Sequence, residues 1–109
     1  MRVAAVTGGA QGIGRAVALR FARAGYAVSI ADPDEDAGHE AAGMIDKAGA
    51  KCLFVQTDVA DATQVTRWVD ETVRQLGCPD VLVNNAGIGR RAPFLELRTE
   101  DFDRVIAVN

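Results

Sequence analysis

Three short segments hold most of the residues able to do chemistry. The first is Thr7-Gly8-Gly9-Ala10-Gln11-Gly12-Ile13-Gly14, which follows the apolar run Val3 to Val6 and opens a stretch with helical spacing. Gly8 suits a tight turn, Gly12 lets backbone approach a ligand closely, and Gly14 lets a helix pack against a strand. Free N–H groups and the helix dipole then favour an anion at that point. No Lys-Ser/Thr pair follows the glycines, which excludes a P-loop. Asp32 comes at about the interval expected for the acid of a dinucleotide site, where a carboxylate accepts from the adenosine ribose hydroxyls. A carboxylate there repels a 2′-phosphate, so the residues favour NAD over NADP. The plainer alternative is a turn residue before Pro33. The second segment is Asp58-Val59 and the third is Asn84-Asn85-Ala86-Gly87. On residue type alone these are the start of a loop and a turn.

The elements around these segments alternate strand and helix. Val3 to Val6 reads as strand one. Ile13, Ala16, Val17, Phe21 and Ala24 recur at helical spacing, with Gly25 placed as a left-handed residue past the helix end. Tyr26 to Ala31 gives strand two, an Ala-rich stretch from about Asp34 to Ala48 a second helix, and Cys52 to Val55 strand three. Val65, Trp68, Val69, Val73 and Leu76 form the apolar stripe of a third helix. Val81 to Val83 is strand four. The strands are apolar on consecutive positions, as strands covered by helices on both faces are. The order implies a parallel sheet with right-handed crossovers. Thr99 reads as the cap of a last helix whose Phe102, Val105, Ile106 and Asn109 share one face. That helix stops in mid-pattern, which predicts a truncated chain.

Taken together, Thr7-Gly8-x-x-x-Gly12-Ile13-Gly14, Asp58-Val59 and Asn84-Asn85-Ala86-Gly87 resemble the short-chain dehydrogenase/reductase family, in its order and at similar intervals. The resemblance covers the whole chain but only about the first half of a family member. It implies a Rossmann-type doubly wound α/β domain over residues 1–109, with strand order 3-2-1-4 and NAD over the carboxyl ends of the strands. By the same resemblance, Gln11, Gly12 and Ile13 lie along the pyrophosphate. Asp58 binds the adenine amino group with the Val59 backbone beside it. Asn85, Ala86 and Gly87 border the cofactor ribose, and Asn84 holds strand four to its neighbours. Asn109 matches an asparagine that supports a proton relay to the active-site lysine; a plain backbone-bonding asparagine is the alternative.

The family's hydride transfer also needs a serine and a Tyr-x-x-x-Lys. Here the only tyrosine is Tyr26, position 30 is Ile, the only lysines are Lys47 and Lys51, and the only serine is Ser29. No general acid–base group is assignable among them. The expectation is therefore the cofactor-binding half of an NAD-dependent oxidoreductase for an alcohol or carbonyl substrate, inactive as 109 residues alone. The rival is a non-catalytic nucleotide-binding or redox-sensing module. A methyltransferase fits Asp32 but not the Asn-Asn-Ala-Gly run.

Composition narrows the partners. With 49% apolar and 25% charged residues the chain is an ordinary globular mixture, and a net charge of −3 argues against binding a phosphate backbone. No apolar run reaches the length of a membrane span, and no secretory leader is recognisable at the start. Cys52, Cys78 and the single His39 lack the spacing of a zinc site. Free cysteines in a cytoplasmic protein are expected. Trp68 and Met44 read as core, His39 as an exposed helix residue, and Arg90 and Arg91 as a solvated loop pair. An unpaired strand four and the apolar face of the last helix predict a homo-oligomer, or a complementing carboxyl-terminal piece.

Overall fold

A computed structural model describes residues 1–109. Its elements run β1 (Val3–Thr7), α1 (Gly12–Arg23), β2 (Ala27–Asp32), α2 (Glu35–Lys47), β3 (Cys52–Gln56), α3 (Ala62–Gln75), β4 (Val81–Val83) and α4 (Thr99–Val108), with one 3-10 turn at Phe94–Glu96. The four strands form one sheet in the order β3-β2-β1-β4, and every neighbouring pair is parallel. The expected strand order is therefore correct, and the strand limits agree to within about a residue.

The continuous apolar runs of β1 and β2 have the predicted cause. All residues of both strands are buried, because each sits centrally with a helix layer on either face. On one face α1 and α2 pack Ala18, Ala22, Ala41 and Ile45 against Val6, Val28 and Ile30. On the other, α3 sets Trp68 against Ala5 and Ala31. Alanines dominate the helix side, so the helices lie close to the sheet. Gly38 takes this furthest: a Cβ there would run into the Phe54 ring of β3.

Several details differ from the sequence reading. Trp68 is buried as expected, but Thr72 shares the covered face of α3, while Val69 and Val73 are exposed. Met44 is exposed rather than core. Thr99 is the first residue of α4, and no side chain caps that helix. Its acids Glu100 and Asp101 do occupy the first turn, where they complement the positive helix end. Phe102 and Ile106 stay exposed on α4. His39 lies on an exposed face, edge-on to Phe54.

Under α3 the sheet holds a closed polar loop. The Trp68 indole N–H donates to Ser29 Oγ at 2.8 Å, Ser29 Oγ lies 2.7 Å from Thr72 Oγ1, and Thr72 Oγ1 donates to the Trp68 carbonyl at 2.8 Å. With Thr72's proton given to that carbonyl, Ser29 is the donor between the two hydroxyls. All three side chains are buried, and each polar atom has a partner. Ser29→Ala leaves the indole N–H and the Thr72 hydroxyl without that partner. It should lower stability by about 1–3 kcal/mol. Urea unfolding of the two proteins measures this, and an unchanged midpoint would show the loop contributes nothing.

Candidate functional site

The site forms where β1 ends and the chain must turn into α1. Gly8 and Gly12 adopt φ values of 65° and 58°, a region that favours glycine. The Gly8 amide donates to the Ala31 carbonyl at 2.7 Å, which ties the turn to β2. At Gly14 a Cβ would collide with the Gly8 carbonyl oxygen and with Asn85 Nδ2. Gly14 thus lets α1 start directly against the end of β1, as the spacing predicted. No side chain caps α1, and no acid stands in its first turn. Its leading amides thus lack a capping side chain, and no first-turn acid offsets its positive dipole end.

The Asn-Asn-Ala-Gly loop is fastened to this turn. Thr7 Oγ1 accepts the amides of Asn85 and Ala86, each at 3.0 Å. Asn85 Nδ2 donates to the carbonyls of Thr7 and Gly8 at 3.2 and 3.1 Å. The role expected of Asn84, holding strand four in place, therefore belongs to Asn85. Asn84 is exposed and makes none of these bonds. The reason is strand alternation: Asn85 lies on the side of Val81 and Val83, and Asn84 on the exposed side with Leu82.

Asp32 closes β2 and is 7% exposed. Its two oxygens accept the Ala10 amide at 3.2 Å and the Asp34 amide at 3.0 Å. The carboxylate thus braces the glycine turn and the turn into α2. A carboxylate has about four acceptor positions, so two remain. Asp34 caps α2 through Ala37 and accepts from Gln11 Nε2 at 3.3 Å. Across the sheet end, Asp58 Oδ1 accepts the Ala60 amide at 3.0 Å and Oδ2 accepts from Arg104 Nη1 of α4 at 3.1 Å. The Ala60 amide, then Arg104, hold the Asp58 carboxyl below its usual range. A depressed carboxyl favours the folded state above its unfolded pKa, and that contribution fades as pH falls through the folded value.

These groups surround one open cavity of about 400 Å³ at the carboxyl ends of the strands. Gly8, Gln11 and Ile13 line it together with Asp32, with Asp58 and Val59, and with Asn85, Ala86 and Gly87. Gly14 shapes the cavity from behind the wall, and Gly12 stands exposed at the start of α1. Asn109 lies outside it, where Oδ1 accepts the Ile88 amide at 2.9 Å and Nδ2 donates to the Ile88 carbonyl at 3.1 Å. Both of its groups are thus committed to backbone in this structure. Among the lining residues, Thr57, Ile88, Arg104 and Val108 were not singled out by sequence reasoning. The cysteines stand apart and unpaired, and burial with the nearby Asp46 charge pushes the Cys52 thiol up to about 12. Arg90 pairs loosely with Asp101 at 3.4 Å.

A parallel sheet of order 3-2-1-4, with a glycine turn and a cavity over its carboxyl ends, defines a Rossmann-type α/β protein. The short chain dehydrogenase family profile matches residues 2–109. The chain belongs to that family, whose members are oxidoreductases using nicotinamide cofactors. It is 47% identical over 108 residues to an uncharacterized oxidoreductase of Thermotoga maritima, covering 99% of this chain and 42% of that protein. It is 42% identical over 110 residues to an L-2,3-butanediol dehydrogenase of Corynebacterium glutamicum, covering 99% and 43%. An alcohol dehydrogenase from the archaeon Thermococcus sibiricus, solved with 5-hydroxy-NADP, superposes with a TM-score of 0.92 at 33% identity, covering 99% of this chain and 46% of that one. The chain thus spans less than half the length of these relatives.

The collision at Gly14 yields a direct expectation. Gly14→Ala should cost about 1–3 kcal/mol, because the obstacle is backbone and α1 must shift away from β1. Thermal melting measures the loss; an alanine variant melting with the parent would mean the turn is loosely packed.

Proposed function

We propose that these residues form the nucleotide-holding part of an NAD-dependent oxidoreductase acting on an alcohol or carbonyl compound. The observation that carries the reading is Asp32. It is buried, braced by two backbone amides, and faces the cavity beside the start of α1. A ribose diol can donate to its remaining acceptor positions, whereas a 2′-phosphate would meet a carboxylate at close range. The Thermococcus sibiricus enzyme was solved with an NADP derivative; the preference for NAD in this chain rests on Asp32 alone.

The other residues take roles in the same frame. The amides of Gly12 and Ile13, with Gln11 beside them, receive the pyrophosphate. Asp58 and the Val59 backbone receive the adenine. Asn85, Ala86 and Gly87 border the second ribose, and Gly8 and Gly14 set the turn. When bound, the nicotinamide supplies the hydride chemistry. Asn109, held on the Ile88 backbone, is assigned to supporting a water-linked proton relay in the whole protein. Ser29, the one serine, is enclosed under α3 and takes no part. We assign the protein to the cytoplasm, a reducing compartment that suits its two unpaired cysteines.

Calorimetry tests the cofactor reading on the whole protein that carries this chain. NAD should bind about ten-fold or more tightly than NADP, and Asp32→Ala should narrow that gap. The 109 residues alone should show no alcohol-dependent reduction of NAD. Equal or tighter binding of NADP would sink the Asp32 assignment, and turnover by the 109 residues would relocate the chemistry.

We also infer that these residues associate rather than remain single. The outer edge of β4 has no strand beside it, Leu82 on it is 57% exposed, and Val69, Val73, Phe102 and Ile106 are uncovered nearby. An apolar strand edge is a template for pairing. Sedimentation at micromolar concentration should show self-association, or a complex with a complementing carboxyl-terminal piece. A single monomeric species that melts cooperatively would favour a non-catalytic nucleotide-binding module instead.

A further inference from the structure

Arg104 is the one cation on the cavity wall, facing a space that otherwise presents two carboxylates, Asp32 and Asp58. It reaches that wall from α4, a helix far along the chain from the β3 loop that carries Asp58. Its Nη1 donates to Asp58 Oδ2 at 3.1 Å, while Asp58 Oδ1 is held by the Ala60 amide. The two bonds fix the carboxylate plane from opposite ends. They use two of its roughly four acceptor positions, and the carboxylate remains on the cavity wall. The Asp58 side chain is 31% exposed and Arg104 49%, so the pair is reachable from the cavity yet partly shielded from water.

We propose that Arg104 is a positioning residue for nucleotide recognition: it orients Asp58 so that a free carboxylate lone pair meets the exocyclic amino group of the adenine. The proposal rests on the nucleotide-binding reading above and adds to it the group that sets base selectivity. In this role Arg104 restricts rotation of the Asp58 carboxylate, so the acceptor is aimed before ligand arrives and less ordering is lost on binding. A second effect follows from its place on α4. That helix is tied to the cavity through Arg104 at one point and through Asn109 to Ile88 at its end. Adenine seated against Asp58 therefore stabilises the placement of Asn109 as well.

The test compares NAD with its hypoxanthine analogue, which lacks the amino donor, by equilibrium binding to the whole protein carrying this chain. Parent protein should bind NAD several-fold more tightly than the analogue. Arg104→Gln should weaken NAD about 3- to 10-fold and leave the analogue within about two-fold, so unchanged analogue binding also certifies the fold. Arg104→Lys, which keeps a donor and the charge, should recover part of the preference. Equal weakening of both nucleotides in both variants would assign Arg104 to holding α4 in place and overturn the proposal. So would tighter NAD binding by Arg104→Gln, which would mean Arg104 competes with the base. If the parent binds neither nucleotide, the nucleotide-binding reading itself falls and takes this one with it; if it binds both equally, only the Asp58–Arg104 assignment falls.

Discussion

The Gly8 carbonyl is the point on which the site depends. It lies directly under Gly14 and accepts the Asn85 side-chain amide, so the glycine turn and the loop after β4, 77 positions on, meet at one backbone oxygen. There is no room for a Cβ at Gly14, and little at Gly8, where one would press on Asn85 and Ala86. Glycine here is dictated by packing as much as by φ. With the Asn85 side chain seated there, Thr7 Oγ1 takes the backbone amides of Asn85 and Ala86, which fixes the course of the loop after β4. The cavity beside it is therefore a by-product of how α1 is allowed to begin.

Charge is arranged on the same economy of parts. Asp32 is buried but both oxygens serve backbone, so the glycine turn is already braced without a ligand. The uncapped start of α1 supplies the positive counterpart. The site thus presents an anion-attracting end and an anion-repelling end within one cavity.

Much of this was legible in residue order. Val3 to Val6 and Tyr26 to Ala31 have no polar alternation, which only a doubly covered strand tolerates, and the glycines past each helix mark where the chain turns back to the sheet. What the sequence concealed was orientation by single positions. Asn84 and Asn85 are adjacent and identical in type, yet alternate sides of the chain, so only the fold decides which one reaches Gly8. Val69 and Val73 belong to the apolar stripe of α3 by spacing. The covered face instead centres on Trp68 and Thr72, one position round, because Ser29 draws both toward the sheet. Arg104 was invisible for another reason: its partner lies 46 positions away, and no local pattern announces a pair formed by tertiary packing.

Trp68 gives the molecule an optical property of its own. It is the only tryptophan in the chain, and its indole is enclosed by Ala5, Ala31 and the Ser29 hydroxyl. Ala31 borders the cavity on its other side. All indole fluorescence of these residues therefore originates from a single buried position beside Ala31 of the cavity wall. The emission of the unlabelled protein reports directly on the contact between α3 and the sheet, without any probe having to be introduced.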